Sequence, residues 1–98
     1  MIYAELRYEQ HYSDMHDPIL EVICTRFSKV EHGHQGDSWI WVFDGEAKVA
    51  IDSFSSMQHQ VKASADAAQL AHAVIAVLSS HFELHVLPEP ELEPHEDN

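Results

Sequence analysis

Ser38-Trp39-Ile40-Trp41-Val42-Phe43-Asp44-Gly45-Glu46-Ala47-Lys48-Val49-Ala50-Ile51-Asp52-Ser53 is the stretch on which the reading of this chain turns. Five large β-formers follow one another from Trp39 to Phe43, a composition that suits a central strand flanked on both sides. Asp44-Gly45 is a hairpin signal, because a tight reversal needs positive φ and glycine supplies it without a Cβ clash. Ala47 to Ser53 is then the return strand. With a two-residue Asp44-Gly45 loop, Val42 opposes Ala47, Ile40 opposes Val49, Trp41 opposes Lys48 and Trp39 opposes Ala50. Ile40, Val42, Ala47, Val49 and Ile51 then share the helix-covered face, and Trp39, Trp41 and Phe43 share the other. A three-residue loop ending on Gly45 exchanges the faces and turns both tryptophans inward beside Val49 and Ile51. The sequence leaves both registers open.

Before the hairpin, Ile2, Ala4, Leu6 and Tyr8 alternate with Tyr3, Glu5, Arg7 and Glu9, the two-residue period of a half-buried strand. Asp17-Pro18 suits a helix start, and Ile19, Leu20, Ile23, Cys24, Phe27 and Val30 recur at helical spacing, predicting a helix from 18 to about 30. The run 31–37 carries two glycines and no apolar side chain and reads as a solvated loop. After the hairpin, Met57, His59 and Val61 alternate with Gln58, Gln60 and Lys62 in a more polar strand expected near an edge.

Ser64 can cap the next helix, with Asp66 in its first turn. Ala67, Leu70, Ala71, Val74, Val77, Leu78 and Phe82 then form one stripe. Glu83 to Leu87 reads as a short final strand ended by Pro88. Residues 88–98, all Pro, Glu, Asp, Leu, His or Asn, are expected to form a disordered acidic Pro-rich tail after a single domain at 1–87. The element order β-α-β-β-β-α-β predicts an α+β two-layer sandwich, a mainly antiparallel sheet with two helices on one face.

The chain has 98 residues, with 5 Lys and Arg against 17 Asp and Glu and a formal net charge of −12. That length supports one modest core. So negative a surface repels phosphate backbones, and the few basic residues are scattered, so nucleic acid is excluded as the expected ligand. No apolar run is long enough for a membrane span. A lone cysteine, Cys24, and the character of the N-terminal residues lead to a cytoplasmic expectation.

Among chemical features, nine histidines come first. His32-Gly33-His34 with Asp37 close by offers two imidazoles and a carboxylate, a set that would suit Zn²⁺ or Ni²⁺; otherwise no cofactor is expected. No nucleophile elbow, phosphate loop or dinucleotide turn is present, so no catalytic residue is nominated. With the indoles turned outward, Trp39, Trp41, Phe43 and Lys48 would make a contact surface for a protein partner or a second copy of the chain. The leading expectation is therefore a non-catalytic interaction or regulatory module, homodimeric through its aromatic sheet face. The alternatives are a metal-binding protein using loop histidines, and a small ligand-binding or enzymatic α+β domain.

Overall fold

The structure, a computed structural model, describes residues 1–54 and 56–92. The elements are β1 (Ile2–Arg7), α1 (Tyr12–Cys24), β2 (Val30–Gln35), β3 (Asp37–Asp44), β4 (Ala47–Asp52), β5 (Gln60–Ala63), α2 (Ala68–Ser79) and β6 (Glu83–Glu91), with a 3₁₀ turn at Ala65–Ala67 leading into α2. The six strands form one antiparallel sheet in the order β2-β3-β4-β5-β1-β6. This is the α+β architecture expected, with both helices on one face and one strand more than predicted.

That extra strand is β2. Residues 30–35 are not a loop: Val30, His32 and His34 pair with Val42, Ile40 and Ser38. Gly36, at φ 81°, makes the reversal into β3. Gly33 is required for packing, because a Cβ there would lie 2.5 Å from the Trp39 indole. The glycines that suggested a loop thus serve a tight turn and a close ring contact.

The β3–β4 hairpin pairs Val42 with Val49, Ile40 with Ile51, Trp41 with Ala50, Phe43 with Lys48 and Trp39 with Asp52. Asp44 pairs with Ala47, so the turn is Gly45-Glu46, with Gly45 at φ 61°. The register expected from an Asp44-Gly45 loop is therefore displaced by two residues. An even displacement leaves the faces unchanged. Ile40, Val42, Val49 and Ile51 are fully buried beneath the helices, and Trp39, Trp41 and Phe43 lie half-buried on the opposite face.

Other expectations shift for local reasons. α1 starts six residues early: His11, in extended conformation, caps it by accepting from Ser13 N–H at 3.2 Å, and Pro18 lies inside the helix. Burial of Met15, His16, Ile19 and Ile23 offsets the backbone bond that proline removes. Cys24, placed in the predicted apolar stripe, is exposed. β5 is an internal strand, between β4 and β1. On α2 the buried stripe is Leu70, Ala71, Val74, Ile75 and Leu78. Pro88 does not end β6, which runs on to Glu91 as an edge strand, where a missing N–H can face solvent. The tail expected from residue 88 is thus strand as far as 91, and 93–98 lie outside the described residues.

A bulge in β1 between Ile2 and Ala4 turns Tyr3 toward α2, its ring edge-on to His72. The face away from the helices holds a nearly buried ion pair, Lys62 Nζ to Asp52 Oδ1 at 2.6 Å, and beside it Gln60 Nε2 donates to Glu5 Oε2 at 2.8 Å. Among the described residues no helix is long and apolar enough to cross a membrane.

Candidate functional site

Side chains of one phase gather at one end of the sheet. Ser38 is the second residue of β3, in phase with Ile40, His59 precedes β5 in phase with Val61, and Tyr8 follows β1 in phase with Leu6. All three therefore point toward the helices, as do His32 and His34 on the edge strand β2. The early turns of α1 lie over this row and lower His16 into it, 3% exposed.

The result is a continuous hydrogen-bonded chain. Tyr8 Oη is 2.7 Å from His59 Nδ1 and accepts from the His59 backbone N–H at 2.9 Å. His59 Nε2 is 2.7 Å from Ser38 Oγ, and Ser38 Oγ is 2.6 Å from His16 Nδ1. His16 Nε2 then meets His32 Nδ1 at 3.3 Å. The His34 ring stacks on His16 with centroids 4.8 Å apart and planes 23° from parallel. Ser38 N–H donates to Ser53 Oγ at 3.1 Å, which fixes the start of β3 against the end of β4. Ser38 and His59 are fully buried, whereas His32 and His34 are exposed. The chain thus leads from the interior to the surface.

Its electrostatics follow from burial. Desolvation, reinforced by the nearby His16 and His34 imidazoles, pushes the His59 pKa down to about 4. Burial also lowers His16, with His34 and His32 acting in the same direction and Asp17 opposing. Burial raises Tyr8 to about 12, against a lowering by the His59 backbone N–H. At neutral pH the buried links are therefore uncharged, and the chain changes hydrogen-bond direction by exchanging imidazole tautomers and hydroxyl orientations, not by moving one proton alone.

A serine between two histidines is a pattern associated with nucleophilic chemistry, and here Ser38 Oγ is fully buried. The outward end is different. His16 Nε2 and His32 Nδ1 lie at the separation of two ligands on one tetrahedral ion, about 3.3–3.4 Å for metal–nitrogen bonds of about 2.0–2.1 Å. Among the described residues no three His, Cys, Asp or Glu side chains converge on one ion position. Asp37 is exposed, in phase with Trp39 and Trp41, and forms no hydrogen bond or ion pair with His32 or His34 among the described residues. The structure brings His32 and His34 together with His16 rather than with Asp37.

The other predicted residues lie on the far side of the sheet. Trp39 and Trp41 pack against each other at 4.4 Å between centroids, and Lys48 Nζ sits 3.8 Å over the Trp41 ring. Phe43 pairs with Lys48 across the hairpin.

Sequence reasoning missed His16, Ser38, His59 and Tyr8 as one group. The signal available was phase: each is in step with a neighbouring core residue, and a polar side chain so placed must find a buried partner. Compared with protein-family models, curated proteins and solved structures, the chain matches none.

Proposed function

We propose that this is a non-catalytic protein that binds a transition-metal ion such as Zn²⁺ or Ni²⁺ through His16 Nε2 and His32 Nδ1, with His34 recruited as a third ligand. The observation that carries the reading is the 3.3 Å approach of those two nitrogens at the mouth of a buried polar chain. Two supporting features come from the scaffold. His16 already has its second ring nitrogen bonded to Ser38, the outer partner that metal-ligating histidines use to fix their ring orientation. His34 lies on the same face of β2 as His32, stacked against His16, so a side-chain rotation moves it without any change in the strand.

Calorimetric titration of Zn²⁺ into the protein tests this. The expected result is stoichiometric, sub-micromolar binding that His32→Ala abolishes, His16→Ala weakens strongly and Asp37→Ala leaves unchanged. Binding indifferent to His16 and His32, or none in the micromolar range, overturns it.

The half-exposed indole pair favours a second reading, a protein-contact or self-association surface formed by Trp39, Trp41, Phe43 and Lys48. It uses the opposite face of the sheet, so the two readings are tested independently.

A further inference from the structure

The buried half of the histidine chain has no ligand of its own, yet each of its polar groups is satisfied in a way that couples it to the surface. Hydrogen bonding along the chain has two self-consistent directions. In the first, Tyr8 O–H donates to His59 Nδ1, His59 Nε2–H donates to Ser38 Oγ, Ser38 O–H donates to His16 Nδ1, and His16 Nε2–H donates to His32 Nδ1. In the second every bond runs the other way, each imidazole carrying its proton on the opposite nitrogen. Then His32 Nδ1–H donates to His16 Nε2, His16 Nδ1–H to Ser38, Ser38 O–H to His59 Nε2, and His59 Nδ1–H to Tyr8 Oη.

The two directions are not equivalent at the Tyr8 end. That hydroxyl already accepts the His59 backbone N–H at 2.9 Å. In the first direction it also donates to His59 Nδ1 and is satisfied. In the second it accepts twice, and its own proton must turn to solvent. The metal-free chain therefore favours the first direction, in which His59 carries its proton on Nε2. A metal ion at the other end tolerates a proton on neither ligating nitrogen, so His16 must carry its proton on Nδ1 and His32 its proton on Nε2, and from His16 inward the bonds then run in the second direction.

We propose that metal capture by His16 and His32 reverses the proton order of the chain from His16 inward, switching His59 from its Nε2–H to its Nδ1–H form, with Ser38, His59 and Tyr8 acting as positioning residues for the ligand His16. This rests on the metal-binding reading above. Each link is a hydrogen bond of 2.6–2.7 Å from Ser38 inward, so the constraint at His16 is passed on bond by bond. Protons pass within the bonds from Tyr8 to His59, from His59 to Ser38 and from Ser38 to His16; the His16 Nε2 proton leaves to solvent as the metal binds, and the half-buried Tyr8 hydroxyl regains one from solvent, so every group stays neutral. Ser38 is the obligatory pivot, since a hydroxyl can donate to either imidazole while accepting from the other.

The test is long-range ¹H–¹⁵N spectroscopy of ring-labelled protein with and without one equivalent of Zn²⁺, reading the tautomer of each buried imidazole from its nitrogen shifts. The expected result is that His59 Nδ1 and Nε2 exchange protonated and unprotonated character when the His16 and His32 resonances show metal ligation. Ligation at His16 and His32 with His59 unchanged overturns the proposal and leaves the metal-binding reading intact. No ligation at either residue overturns both. In Ser38→Ala, Zn²⁺ affinity falls about 10- to 100-fold and His59 no longer responds, whereas Ser38→Thr restores both. Should Ser38→Ala fail to fold, Tyr8→Phe serves instead: its metal-free His59 loses the preference for Nε2–H while the ligands are untouched. An unaltered tautomer in metal-free Tyr8→Phe overturns the argument from the Tyr8 hydroxyl.

Discussion

Acidification acts against the fold through His59, which is held neutral in the interior. Its ring is fully buried, and its pKa, about 4, lies well below the value of about 6.5 for the same side chain in an unfolded chain. Between those values the unfolded state takes up a proton that the folded state refuses. Unfolding is therefore favoured as pH falls. The stability conferred by a neutral His59 is whole above about pH 6.5 and drains away as pH drops toward about 4. The full separation corresponds to about 3 kcal/mol, of which about 2 kcal/mol is lost between about pH 7.5 and pH 5. His16, lowered for the same reason, adds loss of the same sign.

The measurement is urea denaturation of metal-free protein, followed by tryptophan fluorescence, at those two pH values for the wild type and His59→Gln. Glutamine retains a donor and an acceptor but does not titrate. It lowers stability at pH 7.5, and the further loss on acidification is smaller than in the wild type by about 2 kcal/mol. Relaxation of self-repulsion in a chain of net charge −12 acts on both proteins and cancels in the difference. Equal acid-induced losses in the two proteins would refute the assignment of His59 as a buried neutral group.

Two further outcomes concern the other face. Gly33→Ala places a methyl group 2.5 Å from the Trp39 indole, and its overpacking destabilises the protein by about 1–3 kcal/mol with a change in tryptophan emission; an unaltered unfolding midpoint counts against the contact. If the indole face mediates self-association, sedimentation shows wild-type dimers and Trp41→Lys monomers at the same concentration. Two monomeric proteins of equal stability remove that reading.

The sequence was legible where local chemistry decides alone. Alternation fixed β1, five consecutive β-formers fixed β3, and a Gly- and Pro-free apolar stripe fixed α2, giving the α+β sandwich with both helices on one face. The direction of the indoles also followed from the hairpin parity once a two-residue turn was assumed, and it survived an even error in the pairing.

Context decided the rest. Strand β2 was invisible because its residues form no apolar pattern; it exists because Trp39 needs Gly33 beneath it and β3 offers unpaired backbone groups along its outer side. The start of α1 was misplaced because an imidazole cap at His11 competes with the stronger-looking Asp17-Pro18 signal.

The candidate site could not be assembled from spacing at all. Tyr8, His16, Ser38 and His59 come from four separate elements, and only the antiparallel order that places β5 between β4 and β1 brings Tyr8 to His59 and both within reach of Ser38. The sequence by itself determined which residues of a strand share a face, since period-two alternation is a property of the backbone, and the tertiary structure decided which face the helices cover. Which of those polar residues meet one another was decided by tertiary structure, because a buried donor must find its acceptor wherever the chain's topology delivers one.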